Sequence, residues 1–186
     1  MSLHGATKGT NLEKIAETLA LGEAHGVMMY YSLARLAKEQ GYEDVAADFL
    51  EAANQEAVHA GFYATLNGKY PQNFWGMVRG LQAAEASGET KLLALAEKFR
   101  AAGLEEAALE IAVFARQEGH HGELLQKILE THKPDLLRSE GQKVYVCACC
   151  GYEYVGNLDD EAEDYVCPLC GQPKRVFRLK ETQAAQ

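Results

Sequence analysis

The stretch NQEAVHAG, Asn54 to Gly61, places Glu56 and His59 three residues apart inside a segment with the apolar periodicity of a helix. Residues i and i+3 of a helix share one face, so this carboxylate and this imidazole project the same way. If that face is buried, the glutamate needs a positive partner, because an isolated buried carboxylate is costly. One Glu-x-x-His pair often occurs by chance, so its meaning depends on what the rest of the chain places beside it.

A repeat supplies the partners. Shifting the chain by 62 residues aligns QEAVH at Gln55–His59 with QEGHH at Gln117–His121. The same shift aligns GEAHG at Gly22–Gly26 with AEASG at Ala84–Gly88. Each half of the repeat therefore carries a single glutamate on its first helix and a Glu-x-x-His pair on its second.

Matching spacings place these residues at one height. Glu23 precedes Gly41 by 18 residues and Glu56 follows it by 15, so both lie at nearly the same level of a hairpin that turns at the glycine. The second half repeats this arrangement about Gly103. Packing the two hairpins together then gathers four carboxylates and two imidazoles in one layer of a four-helix bundle. The six candidate ligands are Glu23, Glu56, His59, Glu85, Glu118 and His121.

Such a layer requires metal ions. Four carboxylates without counter-charge cannot be buried so closely, whereas two divalent or trivalent ions neutralise them. One glutamate from each of two helices, plus Glu-x-x-His from each of the other two, is the dinuclear pattern of ferritin-like bundles. The alternative, surface glutamates with incidental histidines, suits any single residue but not six at matching offsets. His120, about 100° around the helix from His121, is interpreted as a surface group or a neighbour of the ligands.

The composition favours a helical protein with a small second domain. The chain has 186 residues, of which 47% are hydrophobic, and its net charge of −9 disfavours nucleic acid and anionic membranes as partners. No apolar run is long enough for a transmembrane helix, and the N-terminal residues lack the apolar core of a signal peptide, so we expect a cytoplasmic protein without structural disulfides. Helical periodicity predicts helices over residues 11–40, 42–66, 73–102 and 104–131. The predicted domains are a ferritin-like four-helix bundle at 1–132, a linker at 133–142 and a β-rich metal domain at 143–186.

The cysteines form a second metal motif. Two Cys-x-x-Cys hooks offer four thiolates in tetrahedral geometry, an arrangement that both zinc and iron accept. Cys149 lies inside the first hook but has no counterpart in the second, so we expect its side chain to point away from the metal. The four predicted ligands are Cys147, Cys150, Cys167 and Cys170.

In this combination the chain resembles the rubrerythrins over almost its whole length. The motifs that carry the resemblance are Gly22-Glu23, Glu56-x-x-His59, Glu118-x-x-His121 and the rubredoxin-like pair CACCGY and CPLCG. The resemblance implies an oxo- or hydroxo-bridged di-iron site in the bundle and a single iron on the four cysteines, and so favours iron over zinc in the tail.

The resemblance also assigns roles to single residues. It implies that Glu56 and Glu118 bridge the metals, that Glu23 and Glu85 are terminal ligands and that His121 caps one iron. Tyr30 matches a family tyrosine that hydrogen-bonds to a ligand carboxylate, although a buried core tyrosine is an equally good interpretation.

One position departs from the family. Rubrerythrins usually carry a further glutamate three residues after the one that matches Glu85, and one iron moves between it and a histidine. Here that position is Gly88. Either His59 ligates one iron permanently or Glu89 takes the place of the missing ligand; we favour the first interpretation, which argues against the family's redox-linked movement of iron.

The implied function is a non-haem di-iron peroxidase that reduces hydrogen peroxide to water, with electrons relayed through the four-cysteine iron. Its implied donor is an external protein or reductase, such as rubredoxin or an NAD(P)H-dependent reductase. Two alternatives stay open: a ferroxidase that handles or stores iron, and a structural zinc-ribbon protein with an interaction role. Hard carboxylate ligands also accept manganese.

The connection between the hairpins predicts a dimer. If the second and third helices run parallel, as in ferritin-like bundles, the chain has to cover about 33 Å along the bundle. Asn67 to Gln72 span only about 20 Å when fully extended. The chain therefore either turns back directly as an up-down-up-down monomer or exchanges hairpins with a second chain in a domain-swapped homodimer, which we favour.

Overall fold

The structure is a computed structural model of the protein, and it describes residues 2–132 and 142–180. Four long helices are followed by a small antiparallel sheet, so the predicted fold class is confirmed: mainly α and ferritin-like, with a small β-rich C-terminal domain. The helices begin and end within two residues of the predicted bounds. They are α1 (Glu13–Glu39), α2 (Glu43–Asn67), α3 (Phe74–Ala101) and α4 (Glu105–His132). The strands are β1 (Val144–Cys147), β2 (Glu153–Val155) and β3 (Phe177–Leu179).

The chain divides into two compact units, Met1–Gln72 and Asn73–Gln186. The first contains the hairpin of α1 and α2, and the second contains the hairpin of α3 and α4 together with the sheet. The predicted linker at 133–142 lies outside the described residues except for Gln142, so the predicted domain bounds stay a prediction. None of the helices within residues 2–132 and 142–180 combines the length and the hydrophobicity that crossing a bilayer requires.

In each hairpin the two helices pack against each other through alanines at matching positions. Ala34, Ala46 and Ala53 are at most 2% exposed in the first hairpin, and the residues 62 positions later are equally buried in the second: Ala96, Ala108 and Ala115. Small side chains at the contact let two helices approach closely. Gly41 and Gly103 follow the first helix of each hairpin with φ of +83° and +79°, a left-handed conformation that favours glycine. The sequence repeat is thus a repeat of structure.

The C-terminal sheet has the order β2-β1-β3, with both neighbours antiparallel to β1. Its core is formed largely by the cysteines themselves, with Cys147, Tyr152 and Cys167 each about 1% exposed. Met77 of α3 packs against this core. The metal-ligand loops are therefore also the centre of the small domain.

Glycines on α3 let the sheet lie directly against the helix. A Cβ built on Gly80 would stand 2.7 Å from the Cα of Tyr152, and one on Gly76 would overlap the carbonyl oxygen of Glu153. The side chain of Asn73 donates a hydrogen bond of 2.7 Å to that carbonyl. Arg79 completes the contact through an ion pair of 3.3 Å with the buried Glu153 carboxylate. The docking depends on the absence of side chains at two α3 positions one helical turn apart.

We expect Gly80→Ala to destabilise the second unit by about 1–3 kcal/mol, because the new methyl meets backbone atoms of Tyr152 that cannot rotate away. Urea denaturation followed by circular dichroism measures the change in the free energy of unfolding. The control is Gly61→Ala on α2, where a Cβ meets no described atom within 4 Å and helix propensity favours alanine by up to about 1 kcal/mol. Equal effects of the two substitutions would contradict the docking contact.

Candidate metal centres

The first unit brings Glu23 of α1 together with Glu56 and His59 of α2. One donor atom from each lies within 4.8 Å of the others, and His59 Nδ1 is 3.2 Å from Glu56 Oε2. Gly26, one turn after Glu23, lies beside the Glu56 side chain, and a Cβ at residue 26 would make an ordinary contact of 3.4 Å with Glu56 Cγ. These three residues are called the first half-site.

The second unit repeats the arrangement with Glu85 of α3 and Glu118 and His121 of α4. Here His121 Nδ1 approaches the glutamate of the opposite helix, at 3.4 Å from Glu85 Oε2. Two donor atoms at about 2.1 Å from one ion stand about 3.0–3.4 Å apart, so the nitrogen–oxygen spacing in each half-site suits a shared metal ion. Glu85, Glu118 and His121 are called the second half-site.

The paired carboxyl groups of both half-sites also favour the binding of a cation. A hydrogen bond to Glu56 raises the pKa of Glu23, and a hydrogen bond to Glu85, reinforced by burial, raises the pKa of Glu118. Each pair of touching carboxyl groups thus favours holding a proton between them. In addition, Glu85 Oε2 is buried and has no hydrogen-bond partner among the described residues. A buried carboxylate oxygen without a hydrogen-bond donor is available to coordinate a metal ion.

The four-cysteine cluster has the dimensions of a tetrahedral metal site. Cys147 Sγ lies 3.7 Å from Cys170 Sγ, and Cys150 Sγ lies 3.6 Å from Cys167 Sγ. Sulfurs about 2.3 Å from a central ion are about 3.8 Å apart, whereas a disulfide requires about 2 Å. Burial raises the pKa of Cys150 and raises that of Cys167 to about 11, so thiolates at these positions need a metal cation to stay deprotonated.

Sequence comparisons identify the protein family. The family model for rubrerythrin matches residues 17–74. An uncharacterized protein of Methanocaldococcus jannaschii is 30% identical over 128 residues, which are 69% of this chain and 91% of the relative. Rubrerythrin of Porphyromonas gingivalis is 27% identical over 97% of this chain and 95% of its own length. Rubrerythrin of Nitratidesulfovibrio vulgaris is 28% identical over 92% of this chain and 95% of its own.

The chain belongs to the rubrerythrin family. With the donor sets described above, it is a di-iron protein of the oxidative-stress type that also carries one iron on four cysteines, and its activity is that of an oxidoreductase. The resemblance read from the motifs is confirmed, and so are the predicted cofactors. The role of each ligand within the di-iron site stays a prediction.

The structure also locates the residues whose roles the sequence left open. Tyr30 is half-buried and its ring stacks on Phe49 of α2 at 6.0 Å between centroids. Its hydroxyl donates to no carboxylate among the described residues, so the expected hydrogen bond to a ligand stays a prediction. His120 is exposed, next to the ligand His121, as expected of a surface group.

The space at the family's missing glutamate is taken by Glu118 in this rubrerythrin. A Cβ at Gly88 would lie 3.1 Å from Glu118 Cβ and 3.3 Å from its Oε2. A larger side chain at residue 88 would therefore displace the carboxylate that the family pattern makes a bridge. Gly26 is the matching residue of the first half-site, but there a Cβ would make only an ordinary contact of 3.4 Å with Glu56 Cγ.

Glu89, the proposed substitute, lies against Gly119 on α4. A Cβ at Gly119 would stand 2.5 Å from Glu89 Oε2, so a side chain at residue 119 would require the Glu89 carboxylate to move. The aligned residues of the first half are Val27 and Ala57. Both residues of the Glu89–Gly119 contact therefore differ between the two halves, and the 62-residue alignment shows this difference.

The sequence analysis also missed the docking glycines. Gly76 and Gly80 have the Gly-x-x-x-Gly spacing, which places both on one helix face and marks a close approach of another backbone. That signal was available in the sequence, but it does not tell which part of the chain makes the approach. The structure shows that the four-cysteine domain does.

We expect Cys149→Ser to keep the visible spectrum of the four-cysteine iron, because Cys149 is exposed and is not one of the four clustered sulfurs. Its side chain nevertheless comes close enough to Cys170 for a hydrogen bond that raises the pKa of Cys149, so it does not point away from the cluster. Cys150→Ser removes a buried ligand and should abolish or shift that spectrum. Absorption spectra and iron content of the two purified variants make the comparison. A reversed outcome would mean that the first hook uses Cys149 instead of Cys150.

Proposed function

We propose that this rubrerythrin is a peroxidase that reduces hydrogen peroxide to two waters, using two protons from the solvent and two electrons that arrive through the four-cysteine site. The observation that carries the proposal is that one compact unit holds both a four-cysteine cluster and a Glu/His half-site. A protein that only stores iron has no need of a built-in electron donor. The external donor is a protein or reductase that delivers electrons to the cysteine site.

The side chains of the half-sites have distinct tasks. Glu56 Oε2 is hydrogen-bonded to His59 Nδ1 at 3.2 Å, whereas Glu85 Oε2 lies 3.4 Å from His121 Nδ1 without a hydrogen bond and is free to bind a metal ion. The two histidine side chains are 55% and 53% exposed, whereas the two glutamates are 23% and 24% exposed. In one chain the histidine side of each half-site is therefore the exposed side, where the other half of a dinuclear site fits. When bound, the iron ions supply the electrons that cleavage of the O–O bond requires.

Single-turnover spectroscopy tests the proposed reaction. The iron-loaded protein is reduced without oxygen, mixed with one equivalent of hydrogen peroxide or of oxygen, and followed by the visible absorption of the ferric four-cysteine site. We expect peroxide to restore this absorption faster than oxygen. Peroxide that reacts no faster than oxygen would contradict the peroxidase function and favour oxidation and storage of ferrous iron.

Two variants show whether the half-sites are responsible. Glu56→Ala removes one carboxylate of the first half-site and no cysteine, so it should lose iron from the bundle, keep the four-cysteine spectrum and lose the preference for peroxide. The control Glu51→Ala removes an exposed carboxylate of the same helix. This carboxylate accepts a hydrogen bond from the Gln55 side chain, and we expect the variant to behave as the wild type. Full iron content in Glu56→Ala would contradict the ligand assignment.

We further propose that the complete di-iron site forms in a domain-swapped homodimer. Each half-site supplies one glutamate and one Glu-x-x-His pair, which is half of the dinuclear pattern. Eleven residues of α2 follow Glu56 and eleven residues of α3 precede Glu85, about 33 Å in sum at helical rise. The six residues between these helices span about 20 Å at most. A parallel α2 and α3 in one bundle therefore have to come from different chains.

Exchange of hairpins predicts complementation between two inactive variants. When Glu56→Ala and Glu118→Ala chains are co-expressed, a swapped heterodimer contains one site with both lesions and one site with none. We expect partial recovery of peroxide reduction and of di-iron content, up to about half of the wild-type level in each heterodimer. Heterodimers as inactive as the two parents would contradict the swap and favour an up-down-up-down arrangement within each chain.

A further inference from the structure

The four-cysteine domain docks on the side of α3 that faces away from the second half-site. Gly76, Gly80 and Ala83 follow one another at i, i+4 and i+7, so they share one helix face. Glu85 comes two residues after Ala83, about 200° around the axis. Residues 76–85 of α3 therefore contact the four-cysteine domain through one helix face and place the Glu85 carboxylate on the opposite face.

One contact between the four-cysteine domain and α3 joins Ala83 to Gly151. A Cβ built on Gly151 would stand 2.7 Å from the Ala83 methyl, so this methyl lies directly over the glycine. Gly151 follows the ligand Cys150, and its φ of +76° is the left-handed conformation that lets the ligand loop turn towards α3. Its amide donates a hydrogen bond of 2.9 Å to the carbonyl of Cys147, which holds the loop in place.

We propose that the Ala83–Gly151 contact is the crossing point for electrons between the four-cysteine site and the second half-site of the same chain. The path runs from Cys150 to the adjacent Gly151, across to Ala83, and along two residues of helix to Glu85. The other close contact, between Gly80 and Tyr152, lies five residues from Glu85 and two from Cys150. Both paths cross one tight contact, and electron tunnelling decays with each further bond, so the path through Ala83 and Gly151 is favoured over the one through Gly80 and Tyr152.

This inference rests on the proposed function, which requires electrons to reach the carboxylate-bound iron. Each crossing moves one electron: the four-cysteine iron goes from ferrous to ferric and the iron held by Glu85 from ferric to ferrous. An external reductant refills the cysteine site after each crossing, and two crossings supply one molecule of peroxide. The role of Ala83 and Gly151 is to position the two centres, since neither residue binds iron.

Flash reduction tests the contact without peroxide. The iron-loaded, fully ferric protein is mixed anaerobically with a photoreducible flavin, and a light flash then delivers electrons to the four-cysteine site. Its visible absorption should bleach and then recover as electrons move on, at a rate independent of protein concentration. In Ala83→Gly, which removes the methyl, we expect recovery several-fold slower, with the reduction potential and spectrum of the four-cysteine site unchanged.

Two further variants separate the contact from a general loss of helix stability. Ala94→Gly makes the same substitution at another exposed α3 position and should recover at the wild-type rate. Ala83→Ser keeps the Cβ and should restore a rate close to the wild type. Equal rates in Ala83→Gly and the wild type, equal slowing in Ala94→Gly, or no recovery in the wild type would each overturn the proposal. If flash recovery behaves as expected while peroxide fails to reoxidise the reduced protein, the proposed function fails and the electron path stands.

Discussion

Carboxylates that a fold brings into contact must share protons or bind cations, and this constraint shapes the helical part of the protein. Each half-site pairs two glutamates with one histidine, and Glu85 has a buried oxygen that no donor satisfies. The shared protons indicated by the raised pKa values of Glu23 and Glu118 are a weak substitute for metal ions. Metal ions bound at the half-sites would therefore neutralise carboxylate charge that the fold brings together.

Small residues make this arrangement possible by letting backbones approach. Alanines at matching positions let the two helices of each hairpin pack closely, and Gly88 leaves the space that Glu118 occupies. Many larger apolar side chains are left exposed by a single hairpin, among them Val58 at 71%. A hairpin of this kind has its ligands in place but its apolar surface uncovered, which is the physical reason to expect a second hairpin against it.

The two halves of the repeat have diverged in ways that fit different tasks. Only the second unit carries the four-cysteine domain, and its α3 uses Gly80 on one face for docking and Glu85 on the other for metal binding. Glu89 and Gly119 form a contact that the first half replaces with valine and alanine. The half-sites thus share their ligand pattern but not their surroundings.

The sequence by itself determined the four helices, the two Glu-x-x-His pairs and the four cysteine ligands, because helical periodicity and ligand spacing are local properties. It also identified the family through the order of these motifs. Only the tertiary structure decided that Glu118 fills the place opposite Gly88, that Glu89 lies against Gly119 and that the four-cysteine domain docks on the side of α3 that faces away from the second half-site. These are contacts between distant segments, and they depend on which backbones approach closely enough to exclude a single methyl group, which no local pattern specifies.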